Sequence, residues 1–288
     1  MEQTTLKFPR DSKESVETLF GKHILPNFPN YGVLWEKLIG QKNRKGSDYL
    51  YPYGLSVPLS LTNREKENIK TIYERFTMAH YSLFCALASA HYQYGVLQKQ
   101  YVILKKGCKK LTLKQSIFKH WDSLENIYMN LGNAFYQVYH IWKLYFAFNM
   151  HLNIPRSELL ERIDNIRTTR TQLKNHCRSS RKVSVFNVFR KYEEAISIMR
   201  DNVVHFARAG AIIRNNKFWL PFRLRRNVNW RRQIQKASKM KGVISTDRMA
   251  QRDILNAEEQ INNMHSILIK DLTVLYHLKG FRVRHPWR

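Results

Sequence analysis

From residue 63 to residue 106 the chain has no proline, and Ile69, Ile72, Tyr73, Phe76, Tyr81, Phe84 and Leu87 recur at helical spacing. Such spacing lines one face of an α-helix with apolar side chains, and Thr62 or Asn63 can cap its start. Gly107 and Lys109-Lys110 end the run. A second long helix is predicted from about Leu113 to Leu152, closed by Asn153-Ile154-Pro155. A third starts at Pro155-Arg156-Ser157-Glu158 and fades near His176, and a fourth covers about Val185 to Ile213. The last runs from a cap at Thr246-Asp247 to Leu278, with Gly280 just beyond. No segment reads as a convincing hairpin, and no internal repeat or low-complexity tract is found.

Residues 1–62 have a different texture. Five of the eight prolines (Pro9, Pro26, Pro29, Pro52, Pro58) fall there, among Gly21, Gly32, Gly40, Gly46 and Gly54. That density of breakers permits short elements only, at most one helix around Gly32 to Ile39. The pattern therefore predicts an all-α fold. Residues 63–288 form an antiparallel bundle of four to five long helices, residues 1–62 an irregular N-terminal arm packed on it, and residues 214–246 a basic aromatic connection.

Charge changes the picture more than hydrophobicity does. The 288 residues hold 49 Lys and Arg against 22 Asp and Glu, a formal net charge of +27. With 43% apolar and 12% aromatic residues the chain is a folded body and not a disordered tail. A folded body this basic meets polyanions, nucleic acid first and anionic membrane second. The excess is uneven: no acid occurs between Glu74 and Asp122, between Asp164 and Glu193, or between Asp201 and Asp247. The basic residues are thus expected to gather on faces or in a groove.

Cys85, Cys108 and Cys177 are odd in number and widely spaced, which argues against a disulfide framework or a cysteine zinc site. The charged N-terminus lacks the apolar core of a signal peptide. No apolar run approaches the ~18 to 20 residues of a membrane span. The chain reads as cytoplasmic, with no membrane partner. His80 and His91, like His140 and His151, stand eleven residues apart, about 16 Å along a helix and too far to share an ion. No His-Glu-x-x-His occurs and His176-Cys177 has no recognisable partners, so no metal and no other cofactor is expected.

Residues 218–232 interleave aromatics with arginines. Guanidiniums pair with phosphates and aromatic faces stack on bases, so Arg223, Arg225, Arg226, Arg231 and Arg232 are candidate RNA contacts, with Trp230 as a stacking platform. The same residues also suit a solvated loop whose aromatics anchor it to the bundle.

Met199-Arg200-Asp201-Asn202-Val203-Val204-His205 resembles the Arg-x4-6-His signature of the HEPN superfamily, helical ribonucleases and nucleotide-binding proteins. The spacing alone also matches Arg75 to His80 and Arg170 to His176, but the residue after Arg is commonly Asn, Asp or His, which fits Asp201 and not Phe76 or Thr171. On a regular helix Ile196, Met199, Val203 and Phe206 form one apolar stripe, Arg200 lies on its flank and His205 lies nearly opposite. The resemblance implies metal-independent RNA cleavage by attack of a 2′-hydroxyl on the adjacent phosphorus. In it His205 acts as general base or acid, Arg200 holds the phosphoryl oxygens, Asp201 orients one of the two, and Asn202 contacts a phosphate or the backbone. It further implies a homodimer with the site where two protomers meet, in a toxin with an antitoxin or an antiviral effector with an activating partner. The alternative function is a non-catalytic helical RNA-binding protein using the same basic surface.

Overall fold

The computed structural model describes residues 5–6, 55–56, 58, 60–105, 110–164, 169–203, 212–214, 217–221, 243–280 and 282–283. The fold is all-α. Its helices are α1 (Asn63–Lys105), α2 (Lys110–Phe148), α3 (Arg156–Asp164), α4 (Thr169–Ser179), α5 (Val183–Asn202) and α6 (Thr246–Leu278). Short strands accompany them. β1 (Thr5–Leu6), β2 (Leu55–Ser56) and β6 (Arg282–Val283) pair antiparallel in the order β1-β2-β6. β3 (Ile212–Arg214), β4 (Lys217–Pro221) and β5 (Val243–Ser245) form a second antiparallel set, in that order.

Helix ends follow their local chemistry. At α1 the Thr62 amide donates to Glu65 Oε2 at 2.8 Å while the Glu65 amide donates to Thr62 Oγ1 at 3.2 Å, a reciprocal capping box. α6 stops before Gly280, whose φ of 66° suits a residue without Cβ. α4 ends in a tighter way. The Lys182 amide donates to the Cys177 carbonyl at 2.6 Å and the Arg181 amide to the Arg178 carbonyl at 3.1 Å, the double closure of a left-handed helix cap. Arg181, at φ 56°, takes the place that glycine favours.

Two expected elements differ from what is observed. The third predicted helix is two, α3 and α4, on either side of residues 165–168. The fourth predicted helix does not extend to Ile213: α5 ends at Asn202, and Ile212–Arg214 pairs as a strand with Lys217–Trp219. Register places Arg214 opposite Lys217, so a strand stands where the periodicity read as helix.

The chain forms two compact units. One comprises Met1–Cys85, Ala134–Phe189 and Gln260–Arg288, the other Ala86–Asn133 and Arg190–Glu259. In the first, Ile69, Ile72 and Phe76 of α1 are buried together with Trp142 and Phe148 of α2, Leu159 of α3, Leu173 of α4 and Met264 of α6. Phe76 and Phe148 meet edge to face at 5.9 Å, and Phe135 meets Phe189 of α5 at 5.1 Å. Buried Asn68 donates from Nδ2 to the carbonyls of Leu152 and Ile154, both at 2.8 Å, satisfying the backbone where α2 hands over to α3. In the second unit Leu87 and Leu97 of α1, Leu124, Ile127 and Leu131 of α2, Ile196 of α5 and Met249 and Ile254 of α6 are buried.

Candidate functional site

α5 carries the signature sequence at its C-terminal end. Its apolar side is as expected at Ile196 and Val203, which are buried, and Met199 is half-buried. Arg200 lies in the last turn, where a cation meets the negative end of the helix dipole. Its Nε and Nη2 both donate to Asp201 Oδ1, at 3.4 and 3.1 Å. The two side chains are 38% and 16% exposed, so Asp201 is the inner partner and the guanidinium reaches the surface. Gly132 of α2 is its neighbour: a Cβ added there would stand 3.6 Å from Arg200 Cδ and Nη1, an ordinary van der Waals contact.

Asn202 closes α5, and Val203 beyond it takes π-helical geometry. His205, Arg223, Arg225, Arg226, Trp230, Arg231 and Arg232 lie outside the described residues. The structure therefore brings together Arg200, Asp201 and Gly132.

The two other Arg-His matches are placed in full, and each histidine has other work. His80 is buried, its Nδ1 is 2.9 Å from the Phe76 carbonyl and its Nε2 is 3.0 Å from His265 Nε2. The Phe76 carbonyl only accepts, so His80 Nδ1 carries the proton, His80 Nε2 accepts, and His265 Nε2 donates. Burial pushes the His80 imidazole well below its ordinary value, with His265 adding to it, and takes His265 down to about 4. Arg75, the arginine of that match, reaches Asp164 instead. His176 Nε2 pairs with Asp271 Oδ2 at 2.7 Å, and its ring touches Trp142, Tyr145 and Phe146 at 5.4 to 5.7 Å. Arg170 lies over the Tyr139 ring at 5.3 Å.

Pairings between histidines and distant residues are what sequence reasoning missed. His91 pairs with Glu258, and buried His120 Nε2 stands 2.8 Å from Thr246 Oγ1. Thr246, a helix cap by its sequence position, turns its hydroxyl to the core. Burial takes His120 down to about 3. Tyr128 donates to Asp253 Oδ2 at 2.8 Å, while Arg252 Nε and Nη2 hold Oδ1 at 3.1 and 3.0 Å, a second Arg-Asp fork like that of Arg200. Burial raises the Asp253 carboxyl, against the lowering effect of Tyr128 and Arg252. The only advance signal was the helical phase of each histidine, since His80 shares the face of Phe76 and Leu83.

Among the described residues no group of three or more His, Cys, Asp or Glu side chains could hold a metal ion, and no helix is long and apolar enough to cross a membrane. Compared with protein-family models, with curated proteins and with solved structures, the chain finds no match.

Proposed function

We propose that this protein is a HEPN-type endoribonuclease that cleaves RNA without a metal, at a site built from Arg200, Asp201 and His205. The observation that carries the reading is the setting of Arg200. Its guanidinium is forked by Asp201, lies beside Gly132 of α2, and is still partly exposed at the end of α5. A planar cation fixed at its base and open at its tip suits a phosphodiester whose charge grows during reaction. In the competing matches the histidines are engaged elsewhere, His80 with His265 and His176 with Asp271.

In the proposed reaction His205 removes the proton of a ribose 2′-hydroxyl. The 2′-oxygen bonds to the adjacent phosphorus, the P–O5′ bond breaks, and the leaving 5′-oxygen takes a proton. The products are a 2′,3′-cyclic phosphate and a 5′-hydroxyl end, with no water consumed. Arg200 neutralises the phosphoryl oxygens in the crowded intermediate state, and Asp201 keeps its guanidinium from swinging into solvent. The reading includes a homodimer whose second copy completes the site, and an antitoxin or activating partner that controls it. The charge of +27 equally supports the second reading, a non-catalytic RNA-binding protein.

The test is cleavage of a labelled RNA in excess chelator by the full chain and by Arg200→Ala and His205→Ala. The proposal expects cleavage by the parent, loss in both variants, and unchanged far-ultraviolet circular dichroism. Retained RNA binding with no cleavage by the parent protein selects the second reading. Cleavage that needs added Mg²⁺ or Mn²⁺ contradicts the mechanism.

A further inference from the structure

A separate basic cluster lies in the first unit, and no residue of the signature sequence belongs to it. Arg75 of α1 donates from Nη1 to Asp164 Oδ1 at 3.4 Å, and Lys143 of α2 donates from Nζ to the Asp164 backbone carbonyl at 3.2 Å. One residue at the end of α3 thus draws two cations from different helices together. Three residues before Lys143, on the same face of α2, is half-buried His140, and one turn earlier is Tyr136, 64% exposed. Tyr136, His140 and Lys143 follow the i, i+4, i+7 spacing of one helix stripe. Arg170 of α4 adds a third cation over Tyr139, the neighbour of His140.

The carboxylate that acts on His140 and Lys143 is that of Asp164. Asp164 is 65% exposed, and an exposed ion pair of this kind is weak, so it does not neutralise its surroundings. The crowding has an electrostatic consequence. Burial first, then Lys143 and Arg75, hold the His140 imidazole below its ordinary value, and burial and Arg75 lower Lys143 while Asp164 opposes. Cations that repel one another at a half-buried position gain by sharing an anion. An exposed tyrosine one turn away offers a face on which a base can stack.

We infer that Arg75, Lys143, His140 and Tyr136 form a binding surface for single-stranded RNA, with the cations on successive phosphates and Tyr136 stacked on a base. The choice of RNA as the strand rests on the proposed function; the surface itself rests on the cluster. It holds substrate and takes no part in bond breaking.

The experiment measures binding of a fluorescent ten-nucleotide oligouridylate to the full chain between 50 and 300 mM salt. It compares the parent with Arg75→Gln/Lys143→Gln, with Tyr136→Ala, and with Lys182→Gln/Lys270→Gln, which removes two exposed lysines elsewhere. The Arg75/Lys143 double variant should lower the slope of log K against log salt by about 1.4, at about 0.7 for each single-strand phosphate contact. Tyr136→Ala should weaken binding about 5- to 150-fold with the slope unchanged. The Lys182/Lys270 control should change the slope by less than the cluster variant.

Equal slopes in the cluster and control variants overturn the inference, as does unchanged affinity in Tyr136→Ala. Competition by inorganic phosphate or uridine monophosphate as effective per phosphate as the oligomer overturns the strand reading in favour of a small-anion site. Tighter binding of phosphatidylserine vesicles that the oligomer fails to displace overturns it in favour of a membrane. None of these outcomes depends on cleavage. A protein that binds as expected but cuts nothing refutes the ribonuclease and leaves this surface standing.

Discussion

Three buried histidines should make the fold sensitive to mild acid, by an amount the structure sets. His120 and His265 are held neutral by burial, at about 3 and about 4 against an ordinary value of 6.5, and His80 is displaced in the same direction. The folded state thus refuses protons that the unfolded chain accepts. Their contribution to stability is fully present above pH 6.5 and is lost as pH falls, down to about 4 for His265 and about 3 for His120. At pH 5 the unfolded imidazoles are almost fully protonated and the folded ones are not. At about 1.4 kcal/mol per pH unit below 6.5, each of these two histidines costs about 2 kcal/mol there, about 4 kcal/mol together. His80 adds to the loss. Domains of this size are stable by only about 5 to 15 kcal/mol, so such a loss is large. The assay is urea unfolding followed at 222 nm between pH 7.5 and 5. Stability should fall steeply below pH 6.5, and His120→Gln and His265→Gln should each flatten the decline by about one third to one half. A decline of unchanged slope in both variants would refute the reasoning.

Replacing Asn68 with Leu should cost about 2 to 4 kcal/mol, because two buried carbonyls, those of Leu152 and Ile154, lose their donor; urea unfolding at pH 7.5 measures it. Arg181→Gly should stabilise the protein by about 0.5 to 1 kcal/mol, since Arg181 occupies a left-handed conformation at φ 56° in the cap of α4; a rise in midpoint temperature reports it. Cys177 is buried, and burial followed by Asp271 pushes its thiol up to about 11. It should therefore resist alkylation in the folded protein at pH 8 and react at the free-thiol rate in 6 M guanidinium, as quantified by mass spectrometry.

Much of the helical architecture was legible because it is written in local chemistry. Thr62 or Asn63 announces the start of α1, and Gly280 announces the end of α6. The ends that misled are those where two signals compete. Apolar residues continue past Asn202 through Ile213, which reads as more helix, yet Ile212–Arg214 pairs as a strand with Lys217–Trp219. Within 155–176 the apolar spacing reads as one helix, where the structure has the two helices α3 and α4. The candidate site was legible at Arg200 and Asp201, adjacent on one helix. The nearness of Gly132 was not, because nothing in residues 128–136 marks which helix will face Arg200. The His80–His265 and His176–Asp271 pairs were invisible for the same reason, being contacts across 185 and 95 residues of chain.

The identity of the ends left on a cleaved RNA tests the central claim most directly. A single defined RNA, incubated with the protein in chelator and resolved by mass spectrometry, should yield 2′,3′-cyclic phosphate and 5′-hydroxyl termini. The same RNA carrying one 2′-deoxy residue at the cleaved position should stay intact at that bond, and Arg200→Ala or His205→Ala should leave both substrates whole. Termini bearing 5′-phosphate, or cleavage of the 2′-deoxy bond, would contradict the account.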